Sequence, residues 1–383
     1  ALFLTLLDHA TRIRQDHPWL LFLLPLAGAV IAVLYRTIGR EAEGGISAIL
    51  EEIQYRGKGV PAVMAPLILV TTVITHLFGG SAGREGTALQ IGGSVASQFG
   101  RWLKLNQSDM RHLLMVGVAA GFAGLFGTPV AGAVFAMEVV AAGHMRYKSL
   151  FPCLVAGVAG HFGCMVWGVT HTHYAIAAGS AAFDWRTAAK VALAAVLFGL
   201  ASVLFVQLTR GLRSAWHRWI RFPILRPVVG GSIIIGLTYL LGTRDYLGLG
   251  VVSADAGGVS ILSSFHAGGA QWLSWWWKML FTAITISSGF KGGEVTPLFF
   301  IGAALGNVLA TATAAPVDLF AGLGLVAVFA GATNTPIACT LMAIELFGAD
   351  HAVYFAMACF ISYGVSGRSS IYSSQRSVTA KGR

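Results

Sequence analysis

The 383-residue chain is 56% hydrophobic and only 11% charged, whereas an average soluble domain carries about 25% charged residues. That deficit, joined to long apolar runs, excludes an ordinary soluble globular fold and indicates an integral membrane protein. The net charge of +10 does not indicate a nucleic-acid partner, because the basic residues gather in short hydrophilic stretches between the apolar runs.

About ten such runs are expected, at 19–35, 60–78, 111–142, 149–169, 187–208, 228–242, 272–287, 297–314, 317–346 and 352–365. Several fall short of the roughly 20 residues a full helical span needs. Short segments broken by glycine predict helices that stop partway, which is tolerated only where the freed backbone is buried in protein or lines a cavity. The runs are too long, and alternate too little, for a transmembrane barrel. No signal peptide is evident, and a chain starting at Ala1 is expected to be trimmed.

Taken in chain order, the first unusual element is "EGGISAILEEI" (43–53), a glycine-rich helix start. Ser47 there is either an ordinary N-cap or part of a ligand-facing helix end, and Glu51 and Glu52 are expected at the aqueous side. Next comes "GGSAGREGT" (79–87). Its glycines let backbone N–H groups crowd inward on a ligand. Glu85 among them costs about 2.5–3.5 kcal/mol or more near the bilayer centre, and a charge kept at that cost points to function. The alternative is a surface loop with Arg84 and Glu85 solvated. Thr128-Pro129, Thr296-Pro297 and Thr335-Pro336 each precede an apolar run. Threonine is a good N-cap and proline suits the first helical position, so several helices begin inside apolar sequence. Their free N–H groups and partial positive charge suit an anion.

The four cysteines (Cys153, Cys164, Cys339 and Cys359) lie singly in apolar runs and read as small core residues. His171 and His173 in "THTHY" lack a third ligand nearby, so no metal is expected. The basic stretch 209–227 is expected on the cytoplasmic side, and "WLSWWWK" (272–278) reads as an interfacial aromatic belt with Lys278 as its anchor. Tyr372 follows the last apolar run and by itself reads as an interface anchor. Only 11 residues follow it, so no regulatory tail domain is expected.

Two of these elements recur. "GSAGREGTAL" (80–89) matches "GFKGGEVTPL" (289–298) in G-x-x-G-x-E-x-T-x-L, so Glu294 repeats Glu85. "FAGLFGTPVAGAVFAME" (122–138) matches "FAGATNTPIACTLMAIE" (329–345), each closing on a glutamate. Two pairs at nearly one offset predict two halves of the same build, 15–175 and 180–366, followed by a C-terminal segment, 367–383. The residues leave open whether the repeats are parallel or inverted. Repeat-built transporters place their site where the halves meet, on broken helices. A carboxylate beside anion-binding amides is itself a tethered anion. Ionised, it holds the site; protonated, it yields to a free anion, and the exchange couples proton to anion movement.

These motifs resemble those of the CLC family of anion channels and anion/proton exchangers. "GREGT" resembles the family's G-R-E-G-P, "GGEVTP" stands where many members have G-x-F-x-P, and "EGGIS" stands where they have G-S-G-I-P. Tyr372 falls at the pore tyrosine. The resemblance runs from about Gly44 to Tyr372. It implies an all-α integral membrane protein of the CLC type, an inverted repeat of tilted and broken transmembrane helices, multi-pass in the cell (inner) membrane. It also implies a homodimer with one anion path in each subunit. Glu85 would be the external gate, with Tyr372, Ile46 and Ser47 at the inner end of the path.

Three departures are similar to the fluoride-exporting branch. Thr87 replaces proline, Glu294 and Thr296 occupy the second-half motif, and Val139, after Glu138, replaces the internal proton-transfer glutamate of chloride/proton exchangers. Where that branch typically has methionine or asparagine, this chain has Ile46, or Ser47 on a shifted alignment. The expected function is therefore a fluoride/proton antiporter that expels cytoplasmic fluoride on the proton gradient. Glu85 would serve as gate and proton carrier, and Glu294 as the second proton and anion group. Gly83, Arg84, Gly86, Gly293, Val295 and Thr296 would build the anion site. No cofactor is expected. The alternatives are a chloride/proton exchanger or passive chloride channel of the same family and, from another class, an intramembrane metal-dependent hydrolase, for which no His-Glu-x-x-His motif speaks.

Overall fold

The computed structural model describes residues 1–142, 147–177 and 183–377. The repeat boundary expected at 180 and the end of the C-terminal segment, 378–383, lie outside the described residues. The described residues are almost wholly helical. The first helices are α1 (Leu2–Asp16), α2 (Leu24–Thr37), α3 (Gly45–Glu51), α4 (Met64–Leu77), α5 (Glu85–Trp102), α6 (Gln107–Phe126), α7 (Pro129–Glu138) and α8 (Leu150–Val166). They are followed by α9 (Trp185–Trp219), α10 (Leu225–Leu241), α11 (Ser274–Ser288), α12 (Val295–Thr313), α13 (Val317–Thr333), α14 (Pro336–Phe347) and α15 (Ala352–Ser366). Five helical stretches are long and apolar enough to cross a membrane.

The others are short for a reason visible in the chain. The apolar run 111–142 is cut into α6 and α7 by Gly127, at φ +74°, and by Pro129. The run 317–346 is cut into α13 and α14 by Asn334, at φ +56°, and by Pro336. A helix of ten residues such as α7 spans about 15 Å, half the hydrocarbon thickness. Such helices end inside the protein, as expected.

Helices of the two halves pack alike. α5 lies on α6 as α12 lies on α13, and α6 on α8 as α13 on α15. Gly92 faces Gly117 in the first pair, and Gly302 faces Gly324 in the second, small-residue contacts that let helix backbones approach in a membrane. The halves meet through α7 against α14 and α2 against α10. At their junction Phe122 and Phe329, the first residues of the two F-A-G matches, stack with centroids 6.4 Å apart. Every residue of α13 from Leu319 onward is buried, as befits a helix apolar on all sides.

Two elements depart from the sequence reading. α1 was not among the expected runs. Asp8, Arg12, Arg14 and Asp16 dilute its hydropathy, yet Phe3, Leu4, Leu7 and Ala10 bury one face. α9 runs on through the basic stretch to Trp219, so residues 209–219 are helix. Its 35 residues extend about 52 Å, with exposed Trp185 and Trp219 at the two ends, where interfacial aromatics belong.

Candidate functional site

The two glycine-rich elements meet directly. Gly83 N–H donates to the Gly293 carbonyl at 2.6 Å, and Gly293 N–H donates to the Gly83 carbonyl at 2.7 Å, an isolated antiparallel bridge. Nothing larger than glycine fits. A Cβ on Gly293 would lie 2.7 Å from Gly86 N and 2.8 Å from Glu85 N, and one on Gly83 would lie 2.9 Å from Pro297 Cδ. The bridge sets the N-terminus of α5 against that of α12.

Glu85 spans the gap between them. Its Oε2 accepts from the Thr296 N–H at 3.0 Å and from the Arg84 N–H at 3.0 Å, and its Oε1 accepts from the Thr296 hydroxyl. The carboxylate is 1% exposed and occupies the positive end of α12, where free N–H groups and the helix dipole favour an anion. The surface-loop alternative for Glu85 is thereby excluded. Thr296 is not the N-cap that the sequence suggested. Glu294 holds that position, and Thr296, two residues further on, turns both its donors to Glu85.

On one side of the bridge lies a cavity of about 890 Å³. Ile46, Ser47, Gly86, Gly293, Glu294, Val295 and Tyr372 line it, whereas Gly83, Arg84, Glu85 and Thr296 sit just beyond it at the bridge. Its wall is rich in cations, including Arg36, Arg40, Arg210, Arg213 and Lys291. Lys291 Nζ rests 4.0 Å from the centroid of the Tyr35 ring. Glu294 is half-buried and opens on this space.

Tyr372 is buried and lines the cavity, so the interfacial-anchor reading of this residue fails. Hydrogen bonds that no local signal announces hold its segment there. Ile371 N–H donates to the Ala332 carbonyl at 2.9 Å, Gln375 Nε2 to the Thr333 carbonyl at 2.8 Å and Arg210 to the Ser370 carbonyl at 2.6 Å. Ser47 is not an N-cap. It stands inside α3, after Gly44 and Gly45, and its Oγ lies 3.2 Å from Ser373 Oγ. Glu52 is buried rather than at the aqueous side, where its Oε2 accepts from the Lys58 N–H at 2.8 Å and the Gly59 N–H at 3.2 Å. Glu51 is exposed.

Thr128 and Thr335 occupy the N-cap positions of α7 and α14 but donate and accept nothing there as side-chain caps. The closing glutamates of the opposite halves do this instead. Glu345 accepts from the Val130 and Ala131 N–H groups at 2.9 and 2.8 Å, and Glu138 accepts from the Ile337 and Ala338 N–H groups at 3.1 and 2.8 Å. Both glutamates were visible as the last letters of the second repeated motif. Val139, next to Glu138, is a buried core residue.

Lys278 is no interfacial anchor. It is 0% exposed, and its Nζ donates to the Tyr246 and Gly248 carbonyls at 3.1 and 2.7 Å. The Trp275–Trp277 run that suggested an interface packs in part against the core, and burial forces the ammonium onto backbone acceptors. The four cysteines are buried and free. His171 Nε2 meets the Gly124 carbonyl at 3.1 Å.

Comparison with known proteins places this geometry. Residues 27–367 match the family model described as voltage gated chloride channel. The chain is 47% identical to a chloride/fluoride channel protein of Pseudomonas syringae pv. tomato, over 98% of this chain and 82% of that protein. It superposes on the crystal structure of a CLC-type fluoride/proton antiporter with a TM-score of 0.92 at 32% identity, covering 98% of this chain and 93% of the other. A slow cyanobacterial Cl⁻/H⁺ antiporter shares the fold, with a TM-score of 0.77 at 20% identity and coverage of 96% and 90%. The chain is thus a multi-pass membrane protein of the voltage-gated chloride channel (CLC) family, and no enzyme.

Proposed function

We propose that this protein is a fluoride/proton antiporter in which Glu85 is the gate. The observation that carries the reading is the seat of the Glu85 carboxylate on the N–H and hydroxyl of Thr296, a place a free halide would take. Ionised, Glu85 fills that seat; protonated, it loses its charge and yields to an anion arriving from the cavity. Arg84, Gly83, Gly86, Gly293 and Val295 contribute backbone to the same junction. Ile46, Ser47 and Tyr372 bound the inner end, and the basic wall around Arg210 and Arg213 faces the cytoplasm. The resemblance to relatives named for fluoride supports the ion.

Glu294 supports it on chemical grounds. Fluoride is small and strongly hydrated, so replacing its water demands strong donors. A protonated carboxyl on the cavity wall donates an O–H, whereas the ionised form repels the anion, and Val139 leaves no internal glutamate to carry the proton. Residues 15–175 and 180–366 act as the two repeats, with the C-terminal segment closing the path, and the chain works as a homodimer with one path in each subunit. One observation favours a chloride exchanger instead: Ile46 brings no polar donor to the cavity.

Reconstitution in liposomes tests both. Vesicles loaded with fluoride or chloride, with efflux and internal pH read together, are expected to show fluoride efflux coupled to proton uptake. In Glu85→Gln the proton movement should vanish. Chloride efflux without fluoride efflux, or full proton coupling in Glu85→Gln, defeats the proposal.

A further inference from the structure

Among the polar groups that line the inner cavity, the Gln90 carboxamide and the Thr209 hydroxyl each have a buried oxygen without a partner, and Gln90 is the one set against α3. Gln90 is 6% exposed, its Oε1 is fully buried without a hydrogen bond, and its carboxamide makes none to any described residue. Buried polar groups in native structures are nearly always satisfied, so an exception calls for a reason. Gln90 is on α5, one turn beyond Gly86, and the i, i+4 spacing sets both on the face that lines the cavity. Across from it stands Gly45 of α3, at φ +55°. A Cβ built there would lie 3.5 Å from Gln90 Oε1 and 3.6 Å from Nε2. The carboxamide therefore lies flat against the glycine-rich start of α3, at the inner end of the path.

The neighbouring candidates are spent or apolar. The Ile46 side chain has no donor, and the Ser47 hydroxyl is engaged with Ser373. A carboxamide carries two N–H donors on one edge and an acceptor on the other, and it is Oε1 rather than Nε2 that is fully buried, so the donor edge is the one open to the cavity. Unlike Glu294, it is a donor in every protonation state.

We propose that Gln90 is a specificity-determining residue that donates its side-chain N–H to fluoride in the inner cavity, supplying from α5 the donor that position 46 of α3 lacks. The inference rests on the antiporter reading and deepens it. A small, hard halide gains more from a directed N–H donor than a large one does, so loss of this donor penalises fluoride selectively.

The test compares full-length wild type with Gln90→Met, an apolar side chain of similar length, in liposomes. Initial rates are read against fluoride and chloride concentration. The fluoride half-saturation concentration is expected to rise and the fluoride-to-chloride selectivity ratio to fall by about tenfold or more, the worth of one hydrogen bond to a charged group. A residue that only spaced α5 from α3 would lower both fluxes together and leave the ratio intact. That outcome, or an unchanged ratio, overturns the inference while wild-type fluoride exchange still upholds the antiporter reading. A wild type that moves chloride but not fluoride overturns both. If Gln90→Met is not recovered monodisperse, Gln90→Asn carries the same readout, because its amide is withdrawn by one methylene. A raised fluoride half-saturation supports the inference, and a wild-type value overturns it.

Discussion

Glu85 sits where two energies oppose each other. Its charge costs about 2.5–3.5 kcal/mol or more in the middle of a membrane. Against that stand hydrogen bonds from the Thr296 N–H and hydroxyl and the Arg84 N–H, each worth roughly 1.5–3 kcal/mol when the acceptor is charged. Together the three bonds offset the penalty and hold the ionised side chain in its seat, and protonation, which removes the charge, weakens that hold. Glu294 has no such seat. It is half-buried at the start of α12 and faces a wall that includes Arg210 and Arg213. In the proposed cycle it donates to fluoride when protonated, so Glu294→Gln, which keeps an N–H donor but can carry no proton, is expected to uncouple or stop exchange. The check is simultaneous fluoride and pH recording in liposomes, and full proton-coupled transport by the variant contradicts the role.

At the scale of elements, the crossed carboxylates at α7 and α14 replace the caps that each helix's own threonine was expected to give. Glu138 is buried and Glu345 exposed, so the two differ in weight. Glu138→Ala removes a buried carboxylate from the Ile337 and Ala338 N–H groups, the second of which is buried, and is expected to destabilise by about 1–3 kcal/mol, whereas Glu345→Ala removes an exposed carboxylate from the Val130 and Ala131 N–H groups and costs about 1 kcal/mol. Thermal unfolding of the purified protein in detergent should show the larger fall in Tm for Glu138→Ala. The helix breaks were legible because Thr-Pro and glycine act locally. The caps were not, because the capping group arrives from a motif about 200 residues away that only packing brings near. Lys278 shows the same limit. Three tryptophans before a lysine describe an interface locally, but the carbonyls of Tyr246 and Gly248 belong to a loop whose approach no spacing announces. Gln90 escaped notice for the opposite reason: its oddity is a missing partner, which exists only in three dimensions.

For the whole molecule, the doubled motifs predicted a repeat, and the matched residues 80–89 and 289–298 run into α5 and α12 and touch at Gly83 and Gly293. The amphipathic α1 was hidden because its charges mask its buried face. Outward-facing Phe151, Val155, Phe162 and Val166 on α8, with Val353 and Phe360 on α15, leave broad apolar surface for lipid or a second subunit. The proposed homodimer is expected to give twice the mass of one chain by light scattering after correction for detergent, and a single-chain mass would contradict it. The Gly83–Gly293 bridge carries a mechanical consequence. With two mutual hydrogen bonds and no room for even a methyl group, the two glycine-rich turns are riveted together beside Glu85. In the proposed cycle, rocking one half past the other would shear that rivet at every turnover, so the cycle calls instead for the swing of one side chain inside a frame that stays still.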